Sequence, residues 1–600
     1  MTVPSPPQRP TGPDVPPPPP ETALPAGPVT APPHATEAGR LLCAGTYLDA
    51  RYRDRVIDEL WVNEQRVAAP SLGFDAARVL AHALRARRIE LAWALGIVAL
   101  WFLGSLVTEG VLALFLVPGL ALAVAGWVRG DAPAAPLYRS APAFLIRWWG
   151  RLLLAVLIYK TLGLAFGLED DGGDGAQTYY GDSYGSSDSA FDVLDLADTA
   201  GWAGGTGGPS TATQAWLAIV VFAALALCAA AQRGRFARAV TNELSPQRYP
   251  DAASDPAEAQ QGPRFQRIMG RIRREQHRKL ITYGTTRPFC GAGTPVDTWI
   301  LAVELRPAGG TRKPQPISNR VVLDRVRPLL AELRTPPQGG RPSRDRLRGL
   351  EIDECVFLPA EGLRHRDAGP DGSALAEHIE GSVEEGAERR RHFLRIRVGG
   401  WDEELVVTVF VRVHTQGRIL MLEVAPHVLQ PLRKDFQDVD RTAHRLLTGN
   451  LLGKATWAAA RVPGSAVRSL VVVGRYVVAN WPLLTGGHAA DLAEGPALSV
   501  RELAAAPQGS LFQEMDASRY LKAVQDRIAH GVRQALADSG HQTDEFVQQI
   551  VNVSNGGVLI DSVRDSTFAV GEHATAHSAT TTAAAPGGPA QQKGTEGHGS

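Results

Sequence analysis

The sequence predicts an α-helical membrane bundle of four transmembrane helices, plus a cytoplasmic α+β domain with a mainly antiparallel sheet. Three observations predict it: four apolar runs between Ile89 and Ala231, arginines confined to one side of those runs, and a later series of short β-branched stretches flanked by helical patterns.

A helical crossing needs about 20 apolar residues, with a range of roughly 17 to 25. Residues 89–106, 111–128, 142–166 and 215–231 meet or approach that length. The first two are separated only by Val107, Thr108, Glu109 and Gly110, which reads as a tight turn, because one long helix would bury Glu109. Short cytoplasmic connections carry an excess of Lys and Arg. Arg85, Arg87 and Arg88 precede the first run, Arg129 and Arg139 lie between the second and third, and Arg233, Arg235 and Arg238 follow the fourth. Residues 167–214 contain no Lys or Arg but hold Glu169 and a series of aspartates. The expectation is a multi-pass cell-membrane protein with both termini cytoplasmic and an acidic outer loop at 167–214. Arg147, Arg151 and Lys160 in the third run are placed to snorkel to the headgroups. The outer loop begins like a calcium loop at Asp170, but Gly172 and Gly181 stand where oxygen ligands are needed, so no metal is expected.

Formal charge balances, with 62 basic and 62 acidic residues, so no overall field argues for nucleic acid. Cys43, Cys228, Cys290 and Cys355 are scattered, without a CxxC pair, which excludes a zinc ribbon or a disulfide framework. No basic start with an apolar core marks a signal peptide, so the first run would itself direct membrane targeting.

In chain order, residues 1–40 are proline-dense and predict a disordered tail. Residues 41–88 predict a cytoplasmic helical collar, 89–231 the transmembrane region, and 232–262 a polar linker. The α+β domain is expected over 263–450. It opens on a basic amphipathic helix, with Phe265, Ile268, Met269 and Ile272 on one stripe and Arg264, Arg267, Arg271, Arg273 and Arg274 on the other faces. Near a bilayer such a helix is suited to anionic lipid; the alternative is a connector whose stripe packs on the domain behind it. Strands are expected at 280–283, 297–305, 355–358, 393–398, 405–413 and 419–424, the last two as a hairpin. A helix is expected over 318–334, interrupted by Pro328, a polar excursion over 367–388, and another helix over 429–447.

Residues 451–575 predict a helical region with a short β-like end, before a disordered tail at 576–600. In 451–484 Arg461, Arg468 and Arg475 recur every seventh residue, which favours an interfacial or core-packed helix over a fifth span. Asp516 is the expected cap of a long helix ending at Ser539.

Several motifs together, Tyr283-Gly284 with Pro288-Phe289 and Gly291-x-Gly293, Leu429-x-Pro431 before Asp438-Val439-Asp440, Ser499-Val500-Arg501-Glu502 and Phe512-Gln513-Glu514-Met515-Asp516, resemble a group of uncharacterised multi-spanning membrane proteins of actinobacteria such as streptomycetes. The resemblance runs from about Leu41 to Thr575 and implies a cell-membrane location. It supplies no activity, cofactor or catalytic residue.

For chemistry, the bend of Tyr283, Gly284, Pro288, Phe289, Gly291 and Gly293 offers a candidate binding loop, but it lacks the Lys and Ser/Thr of a phosphate loop. Cys290 within it lacks a readable base, and a buried thiol is the plainer account. The expected function is therefore a non-enzymatic membrane-anchored scaffold or sensor. Its partners would be the lipid bilayer and an unidentified cytoplasmic protein. A membrane-tethered enzyme or nucleotide- or lipid-binding protein using residues 284–293 is the alternative, and a transporter component the third reading.

Overall fold

The computed structural model describes residues 32–548, apart from 131–135, 167–208, 260–261, 310–313, 335–345, 348, 362–372, 385–388, 402–403 and 486–492. The proline-rich start, most of the acidic connection and the β-like end expected beyond Gly557 lie outside these residues.

Thr36 and Asp49 cap the first two helices, α1 (Glu37–Leu48) and α2 (Ala50–Ile57), by accepting from the amides of Gly39 and of Arg51 and Tyr52. Asp75 caps α3 (Ala76–Val107), which runs straight through the first apolar stretch. The expected turn follows: Glu109 and Gly110 take left-handed backbone, and α4 (Val111–Leu114) with α5 (Leu116–Arg129) returns beside it. Then come α6 (Leu137–Phe166), which contains Pro142 near its start, and α7 (Pro209–Arg238). Among the described residues four helices, α4 with α5 counting as one, are long and apolar enough to cross a membrane. Phe102, Leu106, Trp127, Phe144 and Tyr159 stand exposed on their outer faces.

The first turns of α3 and the residues just after α7 do not separate into collar and linker. They share one apolar core with α1, α2, α8 (Pro263–Glu275) and residues 432–443 and 500–504. Leu244, Tyr249 and Ala257, in the stretch expected as a linker, are fully buried there, because their side chains complete the apolar surface left by α1 and α3. At the centre Arg78 of α3 donates to the Asp255 carboxylate (2.9 Å) and to the Tyr249 carbonyl (2.7 Å), while its guanidinium lies 3.9 Å from the Tyr249 ring centre. His82 reaches the same Asp255 oxygen at 3.0 Å, and its other ring nitrogen meets the Tyr47 hydroxyl.

Beyond α8 lies a seven-stranded mixed sheet in the order β1 (Leu280–Tyr283), β4 (Gly349–Pro359), β5 (Arg391–Gly400), β6 (Leu405–Gln416), β7 (Ile419–Leu429), with β2 (Thr294–Pro295) and β3 (Trp299–Glu304) both on β7. Only β1 with β4 is parallel; the other pairs are antiparallel, and β6 and β7 form the expected hairpin. One face, with Ile396, Val409 and Val424, is covered by α9 (Asn319–Ala331) and α16 (Leu511–Asp538). Gly531 lets these two helices close, since a Cβ there would lie 2.8 Å from the Val326 Cα. The opposite face, with Phe357, Phe393 and Phe410, meets the 284–293 bend and, through Pro70, the collar.

Several local expectations shift. The long helix begins at Leu511, not near Asp516, because Ser510 and Gln513 form a reciprocal capping box upstream. Pro328 stays inside α9, on its exposed side, so the helix is continuous through it. The polar excursion contains a helix, α10 (Ser373–Glu384), that buries Ile379 and Val383. Residues 429–447 divide, because β7 continues to Leu429 and only α11 (Lys434–Gln437) and α12 (Val439–Thr448) are helical.

Residues 451–485 form a helical hairpin, α13 (Leu451–Arg461) and α14 (Ser465–Thr485), bent by 69° at Val462–Gly464. Its tip enters the apolar bundle. Val462 and Ala466 pack with Ile97, Trp101, Phe115 and Leu225, the Trp101 indole donates to the Ser465 hydroxyl (2.9 Å), and Gly119 abuts the Pro463 carbonyl so closely that a Cβ would lie 2.0 Å away. Both arms also pack along the long helices, α14 on α3 and α13 on α7.

The Arg78–Asp255 pair yields the first test. Removing one partner of a buried pair leaves a buried charge, so Asp255→Ala is expected to destabilise the protein by about 3–5 kcal/mol, against about 0.5 kcal/mol or less for Arg267→Ala. Denaturant unfolding measures both; equal small losses would deny the pair its structural role.

Candidate functional site

The bend after β1 is built around a carboxylate from the chain itself. Gly291 and Gly293 take left-handed backbone (φ +99° and +100°), which turns both amides inward. Those amides donate to one oxygen of Glu502, at 2.7 and 3.0 Å, while Arg287 holds the other oxygen at 2.8 Å. Successive amides with a guanidinium make an anion socket. Its occupant is Glu502, carried on the short helix α15 (Val500–Leu503) of the matching Ser499–Glu502 motif. Neither glycine has room for a side chain: a Cβ at Gly291 would lie 2.7 Å from the Pro70 carbonyl, and one at Gly293 2.3 Å from that of Val428. Gly284 crosses Gly495 at backbone distance.

The remaining members of the expected loop have structural roles. Phe289 sits among Phe357, Phe393, Phe410 and His427, with ring centres 4.7–5.7 Å apart. The Tyr283 hydroxyl donates to the Arg389 carbonyl, and Pro288 is exposed. Burial, aided by the Glu502 charge, pushes the Cys290 thiol up to about 12, so it is no nucleophile near neutral pH. The bend therefore docks α15 and the collar onto the sheet. It is not an open nucleotide cradle.

The basic helix α8 likewise spends its apolar stripe inside the chain: Phe265, Ile268, Met269 and Ile272 are all buried in the collar core. Arg264 pairs with Glu64 (2.6 Å), Arg273 with Asp75 and Glu258, and Arg271 hydrogen-bonds the Glu64 carbonyl. Arg267 stays exposed, 3.7 Å from Glu64, and Arg274 is exposed beside Gly270. With that stripe occupied, the helix has no apolar face for a lipid surface.

Sequence reasoning missed a polar cavity of about 540 Å³ at the β1–β4 edge, between α9 and α10, lined by Lys279, Arg320, Arg327, Arg334, Asp353 and Glu354 among others. Its organising group is Glu354. Arg320 (3.0 Å), Arg327 (2.8 Å) and the buried His392 (3.1 Å) converge on its carboxylate. The hydrogen bond from His392 and the Arg320 charge hold the carboxyl down at about 2. The residues come from three separate elements, so no local motif announced them. The cavity suits a polar, charged ligand, with Lys279 exposed at its edge.

Two outcomes follow. Glu502→Gln weakens a charge-assisted socket and is expected to cost about 1–3 kcal/mol in denaturant unfolding, with no thermal shift from added nucleotide in either protein; a nucleotide-induced shift would reopen the bend as a site. For Glu354, a lowered folded pKa means stability that is present above its ordinary 4.5 and lost as pH falls towards about 2. Glu354→Gln should flatten the fall of melting temperature across that window; an unchanged slope would contradict it.

Residues 298–566 match an AbeC-like domain, a match that begins at the edge of β3 and takes in Glu354 and most of its cavity, the 451–485 hairpin, Glu502 and α16, while leaving Lys279, β1, α1, α2 and α8 outside. No curated protein and no solved structure matches the chain. The match supplies no enzyme family; residues 298–566 of this chain are similar to an AbeC-like domain.

Proposed function

We propose that the chain is a multi-pass cell-membrane protein acting without catalysis, as a membrane-anchored scaffold or sensor whose cytoplasmic sheet domain binds a protein partner. In this reading α3, α4 with α5, α6 and α7 cross the bilayer, both chain ends are cytoplasmic, and the acidic 167–214 connection faces out. The one-sided arginines support that orientation, and the resemblance to multi-spanning actinobacterial proteins agrees with it.

The observation that carries the reading is the shared collar core. The start of α3, the residues following α7, and residues 432–443 and 500–504 of the sheet-domain half are buried against one another. An even number of crossings is what brings the start of α3 and the end of α7 to one side. Close-packed cores are not continuously deformable, so a shift of the long helices and a shift of the sheet domain become one event. That coupling suits a sensor or scaffold better than an enzyme held on a tether. The partner surface proposed is the Glu354 cavity, on the side of the sheet away from the collar, whose basic rim suits an acidic segment.

Two measurements test this. In intact cells a membrane-impermeant thiol reagent is expected to modify Glu109→Cys, in the α3–α4 turn, and to modify Arg418→Cys, in the β6–β7 turn, only after permeabilisation; the reverse pattern rejects the orientation. A photo-crosslinking residue at Lys279 should yield a discrete protein adduct that is absent from the same residue at Arg267. Identical adduct patterns from the two sites would reject the cavity as the partner surface.

A further inference from the structure

We infer that an anionic phospholipid of the cytoplasmic leaflet is held in the groove between α6, α7 and α13, one acyl chain in the groove and its phosphate against Arg233 and Arg461. The inference rests on the membrane reading above and identifies a ligand that reading leaves open.

Depth comes first. Ile97, Gly119 and Leu225, which surround the tip of the 451–485 hairpin, each lie within about two residues of the middle of their own apolar run, so the tip stops near the bilayer centre. Arg475, midway along α14, pairs with Asp54 of the collar, and Tyr476 lies under Arg87, so α14 runs from the tip back towards the collar side from which α13 comes. The hairpin is a re-entrant element, tolerated where its non-helical turn is buried in protein.

Beside α13 the bundle opens a groove of about 680 Å³. Ile158 and Leu162 of α6, Phe222, Ala226 and Ala230 of α7, and Ala458 of α13 line it. Along α7 it runs from Ala230 on the collar side to Ala218, beyond the middle of the 215–231 run, about 18 Å at 1.5 Å per residue, which is room for one extended acyl chain. Apart from Lys454 and Thr161 its lining is apolar, and the Thr161 hydroxyl is already satisfied by the Leu157 carbonyl. Water or a polar solute has nothing to bond there, so the occupant is a hydrocarbon chain.

Charge identifies the headgroup. On α7 the groove face 223, 226, 230 continues at helical spacing to Arg233; on α13 the positions 454, 458 and 461 share one face, ending on Arg461. Arg233 and Arg461 stack on the Trp457 ring, 3.9 and 4.6 Å from its centre, and Arg468 donates to the Arg461 carbonyl. Lys454 at the groove donates to the Leu447 carbonyl (2.6 Å). No carboxylate pairs with Arg233, Arg461 or Arg468 among the described residues, in a protein whose collar arginines are paired. Basic side chains at membrane depth pair with something. A lipid phosphate at the collar-side mouth of a chain-sized groove supplies both the counter-charge and the filling.

The test uses the full chain in a mild detergent, with retained lipid counted by native mass spectrometry after exchange against phosphatidylglycerol, phosphatidylcholine or free glycerol phosphate. Phosphatidylglycerol is expected to be retained about tenfold better than phosphatidylcholine, and glycerol phosphate not at all. Arg233→Gln with Arg461→Gln should remove the preference, and Ala226→Trp, which fills the groove without touching the charges, should lower retention of both lipids. Equal retention of the two lipids, or an unchanged preference in the double variant, overturns the site. Release of the chain from membranes by alkaline carbonate would instead overturn the membrane reading on which it rests.

Discussion

Arg78 and Asp255 are separated by 177 residues and four long apolar helices lie between them or include them, yet they meet in a buried ion pair. Burial alone would raise the Asp255 carboxyl. The His82 hydrogen bond, the Ala257 amide and the Arg78 guanidinium hold it well below the usual carboxylate range. Such a pair tolerates no water and little displacement, because its attraction must offset the desolvation of both charges. It therefore fixes where α3 begins relative to the chain that follows α7, and with that the side from which every later segment approaches. The collar repeats the device at lower charge density. Glu275 accepts from the Ala68 amide, Gln276 bridges Ala76 and Asp75, and Glu59 accepts from the amides of Ala497 and Leu498.

Seen from this junction, the 284–293 bend is the last of a series of side chains that capture backbone amides across the collar. Glu502 inserts between Gly291 and Gly293 as Glu59 meets Ala497 and Leu498. A glycine-rich turn that presents two amides inward binds anions as a matter of geometry, and whether the anion is a ligand or a side chain depends on what the rest of the chain supplies. Here α15 supplies it. The same reasoning separates α8 from the Arg233–Arg461 pair: α8 faces Glu64, Asp75 and Glu258, whereas Arg233 and Arg461 share the Trp457 indole and pair with no carboxylate among the described residues.

What could be read from the residues was what neighbours in sequence determine. The turn at Glu109 and Gly110, the β6–β7 hairpin and the apolar length of the four helices follow from local pattern. Long-range partnership was invisible. Nothing local tells β1 to lie parallel to β4, Phe436 to fill the space above Gly45, or Leu244 and Tyr249 to enter a core begun at Leu41. The first turn after Ser510 lies outside the apolar stripe that marks the later turns, since Phe512 and Met515 are exposed, so only the Ser510–Gln513 capping pair marks the start of the helix. The Glu354 cavity draws on α9, β4 and β5, and the bend at Val462–Gly464 has no local signal beyond arginines that also suit a surface helix.

Because they share the collar core, the long helices and the sheet domain move as one mechanical body. Hydrogen exchange along the full chain, comparing the native protein with Asp255→Asn, tests it most directly. Protection is expected to fall together in 239–257, 265–272, 432–443 and 500–504, segments far apart in sequence but buried in one core. Faster exchange confined to the neighbourhood of Asp255, with 432–443 and 500–504 as protected as before, would contradict it.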